Sequence, residues 1–340
     1  MNRKSGLIWF VVLLSLSSCV SYEKFSMDVI KPPKFVMPPE IRKIAIISRN
    51  LKYENDTLQN YQTIDRKLVK DKTKGNLDSL ARVICIDSLA SKLLSQNRFD
   101  SVLVVPVGTL TKMRVKEVRP NKPEWYSKFA EQTGADGMIL LDMFSCFYSR
   151  STENGVANVV TSNIWSFYDC NKQKITNRFV QIDTLYWDGT DDSGTAKKIQ
   201  LPKKETAIPI AAGVIGENYA KHIQPSWTMV YRDIMTSDNP EFQKATILAQ
   251  KSEWDAAAAI WKKYAESKNK RNKIVSLYNL ALASEMNGDV EKALNLTSQA
   301  ANASSGAFRS AENEAVRKYS GILYQRRTEI NKLRVQDETR

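Results

Sequence analysis

The pattern of apolar and polar positions changes character twice along the chain. Residues 42–48 (RKIAIIS) set Ile44, Ile46 and Ile47 in a run short enough for a buried strand. Residues 49–76 are polar and charged and read as a long insert outside the core. From 77 to 96, Leu80, Ile84, Leu89, Leu93 and Leu94 recur at helical spacing, with Asn97 near the end. Residues 101–105 predict a second strand, stopped by Pro106. Residues 123–133 predict a helix with Pro123 in its first turn and Gly134 closing it, and 138–147 a third strand. Beyond Val156 the period falls to two, so 156–168 and 175–186 read as long antiparallel strands joined through 169–174. A turn-rich loop at 188–194 and a helix over 205–223, with Pro225 beyond it, complete this part. The order β-α-β-α-β-β-β-α predicts an α+β fold, a mixed sheet with packed helices, over 41–235.

The last hundred residues turn alanine-rich and helical, over 245–263, 274–287, 290–303 and 307–333. Asp238-Asn239-Pro240 marks the joint, because proline disfavours helix at the residue before it. Ser252-Glu253-Trp254-Asp255-Ala256-Ala257 and Asn287-Gly288-Asp289-Val290-Glu291-Lys292-Ala293 are alike, with Ala257 and Ala293 36 residues apart. This turn-and-helix pattern resembles tetratricopeptide repeats, whose period is about 34. Leu277, Leu280 and Ala281 fit that family's leading helix and Ala300 its later packing position. The resemblance implies an all-α helical repeat domain over 240–335 with a peptide-binding groove, on which Tyr278, Asn279 and Ser284 are the candidate partner-binding residues.

At the amino terminus, Arg3 and Lys4 precede the apolar run 7–14 (LIWFVVLL), too short to span a bilayer as a helix. A basic start, a short apolar core and small residues describe an export signal over 1–18. Leu16-Ser17-Ser18-Cys19 resembles the lipobox of bacterial lipoproteins, which implies cleavage before Cys19 and acylation of that residue. More than one acyl chain is needed for stable anchoring, since each buried methylene contributes about 0.8 kcal/mol. Residues 19–40, with Pro32, Pro33, Pro38 and Pro39, read as a semi-rigid lipidated tether.

The α/β portion carries a second resemblance. Residues 41–47, Asn97-Arg98-Phe99-Asp100 leading into 101–105, Gly134-Ala135-Asp136-Gly137 before 138–141, and 165–169 are its anchors. They resemble the periplasmic domain shared by curli-secretion-type lipoproteins, TolB amino-terminal domains and peptidoglycan-synthase-activator lipoproteins. That group contains pore formers, activators and adaptors, so the resemblance implies location and fold more than activity.

Charge and chemistry narrow the rest. The formal net charge is +13, and loss of residues 1–18 removes only Arg3 and Lys4 from it. The basic residues are scattered and lack the interleaved aromatics that stack bases, so no nucleic-acid partner is expected; anionic envelope polymers or headgroups are the polyanions an exported chain meets. With Cys19 acylated, Cys85, Cys146 and Cys170 remain, without metal-site spacing; they read as small buried hydrophobes, with a Cys146–Cys170 disulfide left open. Ala211-Ala212-Gly213-Val214-Ile215-Gly216 lacks the lysine-threonine pair of a phosphate loop and reads as close packing of a helix onto a sheet. Asp188, Asp191 and Asp192 are wrongly spaced for a calcium loop. His222, the one histidine, reads as a helix-end cap or dipole partner. No cofactor, metal or catalytic residue is expected. The expected role is a non-catalytic adaptor or scaffold, lipid-anchored on the periplasmic face of the outer membrane. The alternatives are a cell-wall or glycan-acting enzyme and a small-ligand sensor in the α/β domain.

Overall fold

Alternate side chains of the isoleucine run face two different helical layers. Ile44 and Ile46 point to one side of the sheet, Ala45 and Ile47 to the other, and all four are fully buried. The structure, a computed structural model, describes residues 21–56, 61–70, 77–189, 201–304 and 311–338. Its strands are β1 (Ser21–Lys31), β2 (Lys43–Tyr53), β3 (Tyr61–Ile64), β4 (Lys67–Lys70), β5 (Ser101–Val104), β6 (Met113–Val115), β7 (Gly137–Ser151), β8 (Val156–Asp169), β9 (Lys174–Asp188) and β10 (Ser226–Thr236). Its helices are α1 (Leu77–Leu94), α2 (Pro123–Thr133), α3 (Lys204–Ile223), α4 (Pro240–Gln250), α5 (Trp254–Lys262), α6 (Lys270–Met286), α7 (Val290–Ser304) and α8 (Ala311–Glu338). Two compact units result, one of Pro33–Pro225 and one of Ser226–Glu338 with the residues up to Pro32.

The first unit is an eight-stranded mixed sheet. β2 pairs parallel with β5 and then β6 on one side and with β7 on the other; β7, β8 and β9 continue antiparallel. The hairpin β3–β4 extends the β2 side of β7, turning through Asp65 and Arg66, both at positive φ as a two-residue hairpin requires. α1 and α3 cover the face carrying Ile44, Ile46, Ile139, Leu141, Trp165 and Phe167; α2 covers the face carrying Ala45, Ile47, Met138 and Leu140. α2 begins at Pro123 and ends at Gly134 in the left-handed conformation, as its sequence predicts.

Four expectations change. Residues 49–53 continue β2, and Arg49, Asn50 and Leu51 are buried, so the polar insert begins later than its charge suggests. The segment read as a tether is structured. Its residues 21–31 form β1, paired along its whole length with β10, because Phe25, Met27 and Val29 alternate onto one face. Residues 35–41 are pinned to the α/β unit by the Phe35 N–H donating to the His222 carbonyl, by Arg98 donating to the Met37 and Pro38 carbonyls, and by burial of Met37 and Ile41. The joint at 238–240 is instead a helix cap, with Asn239 accepting from the Glu241 N–H, and β10 belongs with the helices that follow.

The stretch 211–216 lies inside α3, and its glycines face α1 rather than the sheet. A Cβ on Gly216 would stand 2.1 Å from the Cys85 carbonyl oxygen; one on Gly213 would meet the Ser88 hydroxyl at 3.3 Å and the Ile84 side chain at an ordinary 3.8 Å. Gly216→Ala is therefore expected to force the helices apart and lower stability by about 3 kcal/mol. Gly213→Ala, where the flexible serine can turn away, stays within about 1 kcal/mol of the parent. Urea unfolding of both variants checks the contrast.

Candidate functional site

Where β2 and β7 run side by side, the register shifts once. Ser48 pairs with Leu141 and Leu51 with Met143, which leaves Arg49 and Asn50 of β2 opposite the single residue Asp142 in a β-bulge. The Arg49 Nη1 donates to Asp142 Oδ1 at 2.8 Å, and both side chains are buried. Arg49 Nη2 donates to the Arg119 carbonyl and Asn121 Oδ1, each at 2.8 Å, while Ser166 Oγ donates to Asp142 Oδ2 at 2.6 Å. Asn50, in the left-handed region, donates to the Val107 and Leu110 carbonyls at 2.7 and 2.6 Å and accepts from Ser48 and Arg82. Such a cluster can hold a fold together. The Ser166 hydroxyl is spent on a carboxylate that is itself paired with a guanidinium, and none of the three groups is open to a substrate.

An open cleft of about 730 Å³ lies beside this cluster, between α1 and the turn 106–110. Leu80, Val83, Val104, Val107 and Leu110 line it, with Asn50 among its walls and Ser79, Asp87 and Lys112 as polar groups. A smaller cavity of about 220 Å³ holds His222, stacked on Phe179 at 3.9 Å, with Lys34, Asp183 and Lys221 around it. Neither ring nitrogen has a hydrogen-bond partner. Burial, helped by Lys34, pushes the imidazole pKa down to about 4, so the ring is neutral at pH 7 and carries no charge to pair with the helix dipole.

The outer face of β8 and β9 is the least covered part of this unit. Val180, Ile182 and Tyr186 alternate along β9 at 56–69% exposure, with Val160 beside them on β8. The reason is length. α2 has 11 residues, about 16 Å of helix, against 15 residues and about 50 Å of strand in β9. Among the described residues no strand pairs with the outer edge of β9.

The candidate residues of the helical unit lie inside it. Tyr278 is 4% exposed and packs against Tyr319; Asn279 is 0% exposed. The Asn279 amide clasps the Met235 backbone, donating to its carbonyl at 2.6 Å and accepting from its N–H at 3.0 Å. Ser284 is buried and donates to the Leu280 carbonyl. None of the three offers its side chain to a partner, because the helix that carries them is covered by β10, α7 and α8. Cys19, Asp191 and Asp192 lie outside the described residues. Cys85, Cys146 and Cys170 are free thiols. Cys146 sits opposite Thr161 and Cys170 just past the far end of β8, roughly 30 Å along the ladder, beyond disulfide reach. Burial raises all three thiol pKa values, that of Cys170 to about 11. No group of three or more His, Cys, Asp or Glu among the described residues could hold a metal ion, and no helix there is long and apolar enough to cross a membrane.

Sequence reading missed Arg49, Asn50, Asp142 and the β9 face. A signal existed for the last, since residues 179–187 are apolar at both odd and even positions. Nothing in sequence pairs Arg49 with a carboxylate 93 residues away.

Two measurements follow from this geometry. Asp142→Asn leaves a buried guanidinium uncompensated and should cost about 3 kcal/mol, whereas Arg49→Met combined with Asp142→Leu should cost clearly less than the sum of the two single changes. For His222, the unfolded chain protonates near pH 6.5 and the folded chain near 4, so unfolding takes up a proton in that window. Stability should fall as pH drops from 6.5 to 4, and His222→Phe should flatten that slope by about 1–2 kcal/mol across the window in denaturant titrations.

Residues 243–325 match a family described as a domain of unknown function (DUF6340). No curated protein matches. Solved structures that resemble the chain include the PelC dodecamer from Paraburkholderia phytofirmans, at 8% identity and a TM-score of 0.26, covering 59% of this chain and 99% of that one. Another is protein XCC0632 from Xanthomonas campestris, at 10% identity and a TM-score of 0.31, covering 56% and 90%. Neither likeness carries a functional inference. Residues 41–234, more than half of the sequence, match a family described as a domain of unknown function (DUF8603), and the chain belongs to that family.

Proposed function

We propose that the chain is a non-catalytic adaptor of the bacterial envelope, anchored by acyl chains on Cys19 and engaging protein partners through β9. The observation that carries this reading is the apolar outer face of β9 beside an edge with which no strand pairs among the described residues. A long exposed edge strand is a template for another strand: backbone hydrogen bonds supply affinity, and alternate side chains supply specificity. The membrane location rests on the basic start, the short apolar run and the lipobox-like Leu16-Ser17-Ser18-Cys19, with the periplasmic face of the outer membrane as the favoured site. The helical unit is read as a tetratricopeptide-like array, supported by Ala257 and Ala293 being fully buried at equivalent points of α5 and α7. The surface left to a partner there excludes Tyr278, Asn279 and Ser284. Scattered basic residues suit anionic envelope polymers as secondary contacts.

A second reading, small-ligand sensing, is favoured by the cleft lined by Leu80, Val83 and Asn50. It predicts saturable ligand binding that Leu80→Glu abolishes.

Cys19→Ala should yield a larger, non-acylated form in cells, and normal acylation of that variant would remove the anchor. A photo-crosslinker at Ile182 should capture a discrete protein partner that one at the exposed Glu131 does not. Ile182→Lys should lower that capture about tenfold, a loss of roughly 1.4 kcal/mol. Equal labelling from both positions would exclude β9 as the contact.

A further inference from the structure

β1 and β10 form a two-stranded antiparallel ribbon with unlike faces. One face carries Phe25, Met27, Val29 and Ile234, of which Phe25 and Ile234 pack against the helices of its own unit. The other carries Trp227, Met229 and Tyr231 at successive outward positions, each 57–69% exposed. Ile30, Asp28 and Ser26 stand directly opposite them on β1. Three large side chains in a row on one strand face, open to solvent, are not a core that failed to close. Trp and Tyr pair an apolar body with a polar tip, which suits the boundary between headgroups and acyl chains.

We infer that this face is a membrane-interface seat, with Trp227, Met229 and Tyr231 inserted at the headgroup boundary of a bilayer. The inference rests on the reading of Cys19 as the acylated residue. Only Val20 separates Cys19 from the first residue of β1, so the chain between the lipid and the ribbon can reach at most about 7 Å. An anchor this short keeps the ribbon at the bilayer surface. The ribbon then spans roughly 35 Å, with Trp227 opposite Ile30 near its far end, so seating that end holds the ribbon at a second point instead of letting it swing.

Charge decides the class of lipid. On the outward face Lys24 stands opposite Asp233, and Asp28 adjoins Met229. The patch is therefore not basic, and interfacial insertion of aromatics, not attraction to anionic headgroups, drives the contact. Zwitterionic phosphatidylcholine should serve, with little dependence on salt.

The test uses the full mature chain on phosphatidylcholine vesicles whose acyl chains carry bromine, a quencher of nearby tryptophan. Mass analysis of the amino-terminal peptide first reports whether Cys19 is acylated; if it is not, the anchoring reading fails. The same chain, coupled through Cys19 to a maleimide lipid, still tests the ribbon. On either anchor, brominated lipid should quench part of the tryptophan emission, and Trp227→Phe should remove most of the quenched part. The unacylated Cys19→Ser chain should also bind vesicles weakly, and adding Trp227→Ser, Met229→Ser and Tyr231→Ser should lower that binding about tenfold or more. These side chains are exposed, so an unchanged unfolding midpoint confirms that the variant is folded. Quenching that survives Trp227→Phe, or vesicle binding that tracks anionic lipid content and vanishes in salt, overturns the proposal.

Discussion

The Arg49–Asp142 pair is the constraint around which the α/β unit is arranged. Strand side chains alternate, so one residue of slip between β2 and β7 would move every isoleucine to the wrong layer. The bulge that sets Arg49 and Asn50 against Asp142 breaks the regular ladder at one place, and a buried ion pair holds the two strands in register there. Burying both ions costs several kcal/mol, offset only because each charge is satisfied several times over. Arg49 finds a carboxylate, a carbonyl and an amide oxygen; Asp142 finds the guanidinium and the Ser166 hydroxyl. The same bulge turns Asn50 toward the loop 107–110, which positions the wall of the neighbouring cleft.

The helical unit solves a similar problem with a similar device. A two-stranded ribbon is barely stable by itself. β10 is fastened to the helices by Arg232, which donates to both carboxylate oxygens of Glu285 at 2.9 and 2.6 Å, with the Tyr319 hydroxyl donating to the same carboxylate at 2.8 Å. Asn279 adds the clasp on Met235. Asn279, which sequence assigns to partner binding, is thus consumed in holding a strand. The exposed chemistry of this unit lies on the opposite face of the ribbon, and that of the α/β unit lies beyond the end of a short helix. In both cases an apolar face stays exposed because the covering layer is shorter than, or absent from, the strands beneath it.

Much of the architecture was legible in sequence because local signals carry it. Pro123 and Gly134 bound α2, period-two alternation marks β8 and β9, and the isoleucine run marks β2. These features depend on backbone conformations and side-chain periodicities that neighbouring residues set. The short strands of the first unit and the ribbon of the second were less legible. β3, β4 and β6 are short and polar, and β1 becomes a strand only because β10, some 200 residues later, pairs with it.

The sequence by itself determined the order of the main elements and the change from α/β to helical composition. Tertiary structure alone decided which charges are buried, which polar residues are consumed in the core and which apolar residues stay outside. Arg49 and Ser166 look like surface residues until a carboxylate 93 positions from one and 24 from the other meets them. Asn279 looks like a recognition residue until a strand edge occupies it. Trp227, Met229 and Tyr231 look like core residues until β10 takes up its ribbon and turns them outward. The physical reason is common to all of them: burial is a property of pairs of surfaces brought together over long sequence separations, and no local pattern encodes the second surface.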